Sequence, residues 1–596
     1  VHAPSEKKIC QNCKSEFAIG PDDFGFYAKM NVPPPTWCVN CRLQRRLAFR
    51  NERHLYKRQC NAPGHTEALI SMYASESDAV VYDHDYWWSD QWSPTTYAAN
   101  VDLSRPFLEQ FRELLRAVPR DALVNFNAVR SDYCNYTTDN KDCYLVFGGD
   151  FNENCLYSTF NFHSKDSADL YWADKCELCY EMTDSGSCYN VSFSEFVKDC
   201  TNSAFLADCS GCSNCVGCVN LKNKSYCILN EQLSREEYEK RLRELHLEDR
   251  ESRAVFAEKF RQLKLLFPHR YARIVKSVNC SGDNVVNAKN CANCFDVTGP
   301  AEDCKDVYLA ASGLRDVRGT DHVGHQAELV HDSFAIFSGV RSVVCSMLIS
   351  NSYNVAYSYN CRNTNNIFGC VGLQNKQYCI LNRQYSKEEY EALMPVLIKY
   401  MNDVPYTDAL GRTYHYGEFF PSEFSPFAYN ETIAHEIFPL SRNEAELKGF
   451  RWRDEAGKHY APTLASDKIS STIAGTDDNV LQATVECEHR GACEQNCTTA
   501  FRVTPAELAL YRRLNLPVPR LCPSCRHYER LKLRNPMRAY DRQCECGGVG
   551  SVRGEFKNFG THSHGINRCT AQMKTTYAPD RPEIVYCEDC YQAEIV

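Results

Sequence analysis

Cys10-Gln-Asn-Cys13 and Cys38-Val-Asn-Cys41 place four thiols in two tight turns. A CxxC turn lets two thiolates converge, and two such knuckles complete a tetrahedral Zn²⁺ shell with sulfurs at about 2.3 Å. Such a site is filled by protein, so a structural metal is expected and no ligand position is left for catalysis. A second set stands near the other end: Cys493 and Cys497, then Cys522-Pro-Ser-Cys525. A shift of 484 carries Cys13 onto Cys497, Cys38 onto Cys522, Cys41 onto Cys525 and Cys60 onto Cys544. The two ends are therefore diverged copies of one module. The counterpart of Cys10 is expected at Cys493, which forms a CxxxC knuckle; Cys487 is a further candidate.

The C-terminal copy offers more ligands. Cys544, Cys546, Cys569, Cys587 and Cys590 supply five candidates for the four places of a second site. A shift of 504 brings the N-terminal stretch SMYASESDAVVYDHDYWW onto this tail, with His65, Asp83 and Tyr86 at the places of Cys569, Cys587 and Cys590. The N-terminal copy is thus expected to replace its second zinc by packing around Trp87, Trp88 and Trp92. The expected load is about three Zn²⁺ per chain. His562 and His564, in HSHG, read as loop histidines rather than ligands.

Between the knuckles lies an aromatic stretch, Phe24-Gly-Phe26-Tyr27. In this the ends resemble probable zinc-ribbon proteins, over about 50 residues each, and that resemblance implies zinc and a small β-rich fold. Together with LAFRNERHLYKRQC, GCVNLKNKSYCILN and YAPDRPEIVYCEDCY, the whole chain resembles cysteine-rich zinc-ribbon proteins of bacteria with very small genomes. No activity is implied by either likeness.

Each second knuckle runs into a basic stretch. Arg42, Arg45, Arg46, Arg50 and Arg53 follow the first, and Arg526, Arg530, Lys532 and Arg534 follow the second. Guanidinium groups grip phosphates bidentately and displace counterions from nucleic acid. Contact with RNA, DNA or a ribonucleoprotein is one expectation; a solvated helix face, or pairing with the acidic centre of the same chain, is the other.

The elements that must hold these ends apart fill the middle of the 596 residues. The 35 cysteines fall in four blocks: five in 1–60, twelve in 131–230, eight in 280–380 and ten in 487–590. GCVNLKNKSYCILNEQLSREEYEK (217–240) recurs as GCVGLQNKQYCILNRQYSKEEYEA (369–392), so the centre is duplicated too. A loose Lys/Glu–Asp/Asn–Cys motif recurs in 131–230, where Cys176, Cys188, Cys200 and Cys212 step by 12. A fixed step with small residues inside and Asn, Asp or Gly at the corners predicts a parallel β-solenoid. Cys209, Cys212, Cys215 and Cys218 have the spacing to hold an iron–sulfur cluster. The internal repeat sets Thr364 and Ile367 at two of these places, so inward core thiols are expected instead. Ser234 and Ser386 each precede a REE or KEE run, the signature of a capping box, and predict helices that cover the end of each lobe.

The expected class is mainly β, with two tandem solenoid lobes, capping helices and a zinc ribbon at each end. The boundaries are 1–60 for the first ribbon, 61–130 for an aromatic connector with a helix, and 131–233 for lobe one. Residues 234–279 form a bridging helix, 280–385 lobe two, 386–480 a helix and connector, and 481–596 the second ribbon module. No apolar run of 18 residues suggests a membrane span, and VHAPSEKKIC has no apolar core of a secretory signal, so a cytoplasmic location is expected. With −9 net charge and no phosphate loop, G-x-S-x-G or H-E-x-x-H, the reading is a non-enzymatic scaffold. Its basic ends would touch nucleic acid and its acidic lobes, with 15 Asp and Glu against 7 Lys and Arg in 121–230, would dock protein. A self-assembling structural protein, a β-helix carbohydrate enzyme and a thiol or metal redox protein are the alternatives.

Overall fold

The computed structural model describes residues 5–454, 461–548, 552–553 and 556–595. It is mainly β, dominated by a nine-stranded sheet over Glu153–Gln232 and a fourteen-stranded sheet over Ile274–Gln384. In the first, Ala168 pairs in parallel with Tyr180, and Tyr180 with Ser192. One pass of chain therefore takes 12 residues, the step of the cysteines.

Within a pass the unit is three residues long. Asp166, Asp169, Trp172, Lys175, Leu178, Glu181 and Asp184 all have φ between 47 and 58°. This left-handed conformation costs an ordinary L-residue about 1 kcal/mol or more, least for Asn, Asp and Gly. The residue after each left-handed position turns inward: Cys176, Cys179, Met182, Cys188 and Val191 are buried together. The Lys/Glu–Asp/Asn–Cys motif is this unit, with an exposed residue, a left-handed residue and an interior thiol.

The interior thiols satisfy the backbone. Cys179 Sγ donates to the Glu177 carbonyl at 3.4 Å and faces the Cys188 carbonyl at 3.6 Å. Ser167 does the same with oxygen, donating to Lys165 O at 2.7 Å and accepting from Cys179 N at 3.0 Å. Cys209, Cys212, Cys215 and Cys218 are buried in the same core and each also faces backbone carbonyls. Thr364 and Ile367 are equally buried. Burial pushes Cys379 up to about 11 and Cys361 up to about 12.

The second sheet keeps the pattern with a longer middle. Val285 pairs with Val297 and Tyr353 with Asn365, but Lys305 pairs with Arg318 and Leu314 with Ala327. One residue is added per pass there.

Each sheet ends alike. Cys227 pairs antiparallel with Gln232, and Cys379 with Gln384, so the last parallel strand does not present an open edge. A helix then covers it. Ser234 Oγ accepts from Glu237 N at 3.2 Å, and Ser386 forms the reciprocal box with Glu389. Tyr238 packs on Tyr226 at 5.6 Å and Tyr390 on Tyr378 at 5.8 Å between ring centroids. The continuous helix expected to follow Ser234 is broken into Arg235–Glu244 and Arg250–Leu265, the second capped by Asp249.

The terminal modules are less β-rich than expected. The aromatic stretch is helical: Pro21–Met30 starts on a proline, is closed by Asp23 accepting from Gly20 N, and buries Phe26, Tyr27 and Met30. Among the described residues, only the hairpin of Glu6–Ile9 with Glu16–Ile19 flanks the first knuckle.

The modules are laid crosswise on the sheets. In the N-terminal one, Val81 pairs with Arg120, on the strand that leads into the first sheet, while helix Val39–Leu47 packs on Leu314–Val323 of the second. In the C-terminal one, Val585 pairs with His269, on the strand that leads into the second sheet, while helix Pro523–Lys532 packs on Lys165–Asp174 of the first.

Candidate metal centres and the arginine helices

Cys10, Cys13, Cys38 and Cys41 bring their sulfurs within 4.8 Å of one another, as the spacing predicts. The second knuckle opens a helix, with Cys38 at its N-cap and Cys41 in its first turn. Cys38 N donates to Cys10 Sγ at 3.3 Å and Asn12 Nδ2 to Cys41 Sγ at 3.2 Å, the donors a thiolate needs when it carries charge.

At the other end the equivalent group is Cys487, Cys497, Cys522 and Cys525. Cys522 N donates to Cys487 Sγ at 3.3 Å, the same bond that Cys38 makes to Cys10. Cys487 is therefore the counterpart of Cys10, and the expectation of Cys493 is corrected. The connecting loop is seven residues longer here, which moves the first ligand away from the knuckle spacing. Cys493 instead lies beside Cys525 at 3.7 Å, in a group with His489.

The five cysteines of the tail divide. Cys544, Cys569, Cys587 and Cys590 form a third four-sulfur group, with Cys569 and Cys587 sulfurs 3.9 Å apart. Cys546 falls outside it, beside His562, His564 and Cys590. His562 is buried, not a loose loop histidine as expected; sequence offers only the one-residue gap of HSHG as a signal.

The same corner of the N-terminal copy is closed differently. Hairpin Tyr56–Gln59 with Ala68–Ser71 matches hairpin Tyr540–Gln543 with Gln572–Thr575 in register. Asp83 N donates to Cys60 Sγ at 3.3 Å, as Cys587 N donates to Cys544 Sγ at 3.2 Å. Cys60 Sγ donates to Asp83 Oδ2 at 3.3 Å, and His65 Nδ1 lies 2.9 Å from that oxygen. Trp87 packs on Trp88 and Trp92 beside them, at 4.8 and 5.8 Å between centroids.

The arginines expected to meet phosphate face inward. Arg46 binds Asp321 at 2.7 Å and also Asp332; Arg45 bridges Asp332 and Glu418 at 3.4 Å while stacking over Trp37 at 4.2 Å. Arg42 lies 3.8 Å from Asp306, and Arg50 pairs with Glu52 under Tyr136. In the C-terminal helix, Arg530 and Arg526 reach Asp169 at 2.7 and 3.3 Å, and just past its end Arg534 joins Asp184 and Asp296 at 2.7 and 2.6 Å. Arg42, Arg45, Arg46, Arg50, Arg526, Arg530 and Arg534 are all buried or nearly so. Of the readings open to these arginines, pairing with the acidic centre of the same chain is the one these contacts match: each guanidinium is sealed against a carboxylate. Of that set Arg53, half-buried and bound to Thr159 Oγ1, and Lys532, exposed and paired with Glu529, retain some access to solvent. Burial alone would push Asp332 up, but the Arg46, Arg42 and Arg45 guanidiniums outweigh it and hold the carboxyl at about 2.

Among the described residues no helix is long and apolar enough to cross a membrane. Neither a family model nor a curated protein matches this chain.

Proposed function

We propose that the chain is a non-enzymatic scaffold in which two β-solenoid lobes are clamped by zinc-ribbon modules and present their acidic outer faces to a protein partner. The solenoid reading is supported by the 12-residue pairing step and the inward thiols. Zinc is supported by ligand sets made wholly of thiolate, which suit a tetrahedral, redox-silent ion and leave no open position.

One observation carries the reading: both arginine helices turn their charge onto lobe carboxylates on the opposite half of the chain. The modules then act as clamps. With those cations neutralised internally, the chain's −9 net charge faces outward and favours a basic protein surface over nucleic acid.

Two measurements on the full chain test this. Small-angle scattering before and after complete chelation should show the particle expand; an unchanged radius would remove the clamp. Fluorescence anisotropy with labelled single-stranded RNA and duplex DNA, at about 50 and 200 mM salt, should show no binding. Association with a steep salt slope, lost in R53E/K532E, would instead favour a nucleic-acid partner.

A further inference from the structure

The tail group and its neighbour share one sulfur. Cys590 belongs both with Cys544, Cys569 and Cys587 and with Cys546, His562 and His564. We propose that the second set binds its own Zn²⁺, so that the C-terminal module holds a two-metal centre bridged by Cys590 Sγ.

The histidines are set up as ligands. His564 Nδ1 donates to the Asn567 carbonyl at 2.7 Å, which fixes the tautomer and leaves Nε2 unprotonated, 3.2 Å from Cys590 Sγ. His562 is fixed the other way round. Its Nε2 donates to Glu594 Oε1 at 2.6 Å, leaving Nδ1 3.6 Å from Cys546 Sγ. A tetrahedral zinc separates bound N and S atoms by roughly 3.5 Å, close to both distances. Glu594 is itself held by the amides of Phe559 and Gly560 at 2.9 and 3.0 Å. A carboxylate behind a histidine, itself anchored by backbone donors, is the outer shell that metal-bound imidazoles use. Both the His562 and Glu594 side chains are 1% exposed. Asn558 Nδ2 donates to Cys546 Sγ at 3.4 Å, in keeping with a charged sulfur.

Charge favours the shared sulfur. Two dications against five thiolates and two neutral imidazoles leave one net negative charge for the pair, whereas one zinc on four thiolates leaves two. A thiolate has lone pairs enough to bind two ions. The bridge rests on zinc in the four-cysteine groups; the second ion does not.

Zinc per chain, counted by native mass spectrometry of the full protein, tests this. The wild type should hold four ions, H564A three, and H564C four again, since a thiolate restores the ligand. C60A should keep four, which separates this site from the Cys60–His65–Asp83 corner. A wild type with three ions, or an H564A that keeps four, overturns the proposal. No zinc at all in the wild type would instead mean that the four-cysteine groups themselves do not hold it, and would overturn the bridge with them. Should H564A fold poorly, the wild-type and C60A counts decide together: four ions in both support the second tail site, and three in either overturn it. Two Co²⁺ ions in the tail should couple magnetically through the bridge, and uncoupled spins would sink the shared sulfur.

Discussion

Arg530 Nη1 lies 2.7 Å from Asp169 Oδ1 across 361 residues of chain, and both side chains are all but sealed from solvent. Arg530→Met leaves that carboxylate buried beside Arg526 alone. Losing one partner of a buried pair costs about 3 kcal/mol or more. Urea unfolding should show it, and R530M/D169N, which removes the charge but keeps a residue suited to the left-handed backbone at 169, should recover part of the loss. A cost under about 1 kcal/mol for the single variant would mean the pair is only incidental.

Acid should weaken the contact of the N-terminal arginines with Asp332. The Asp332 carboxyl sits at about 2, below its ordinary 3.8. A depressed carboxylate stabilises the fold fully above its unfolded value, so the gain holds above about pH 4 and is lost as pH falls toward 2. The shift corresponds to on the order of 2 kcal/mol. Unfolding followed from pH 5 to pH 2 should steepen in that window, and D332N should flatten it.

Trypsin reports on the two docked helices. The Arg45, Arg46, Arg526 and Arg530 side chains are buried, so cleavage after them should be absent in the metal-loaded protein and appear on chelation. Metal binding and folding are coupled in modules of this size. Cleavage at those bonds with metal bound would contradict the docked helices.

Cys487→Ser should remove one zinc from the chain, and Cys493→Ser none. The reverse result would restore the knuckle-spacing reading against the shared Cys522 N to Sγ bond.

Interior thiols of the lobes should tolerate hydroxyls. Cys188 faces the Gly186 carbonyl at 3.3 Å, the relation that Ser167 has with Lys165. Cys188→Ser should cost about 1 kcal/mol, and Cys188→Phe about 1–3 kcal/mol or more through overpacking. Equal tolerance of both would show a looser interior than the burial indicates.

Much of the fold was legible because the left-handed positions select their residues. Asp199 and Asp208 sit there, with Cys200 and Cys209 next inside, so the motif could be read without coordinates. The second sheet was harder, because the added residue between Lys305 and Arg318 breaks the step. Cys487 stood only as the further candidate for a similar reason: a longer loop moves a ligand without changing its sulfur's place. The arginines left both readings open because composition shows charge but not which way a helix faces, and Asp169 and Asp321 lie far from them in sequence. His562 needed Glu594 beside it, and spacing cannot supply that.

The crosswise docking has a consequence on the ribosome. The first sheet is complete by Gln232, yet the helix that covers Asp169 and Asp184 begins at Pro523. At about 5–20 residues per second, those carboxylates wait on the order of 20–70 s for their cations. A nascent or prematurely ended chain thus carries bare, unpaired carboxylates that the finished molecule keeps covered.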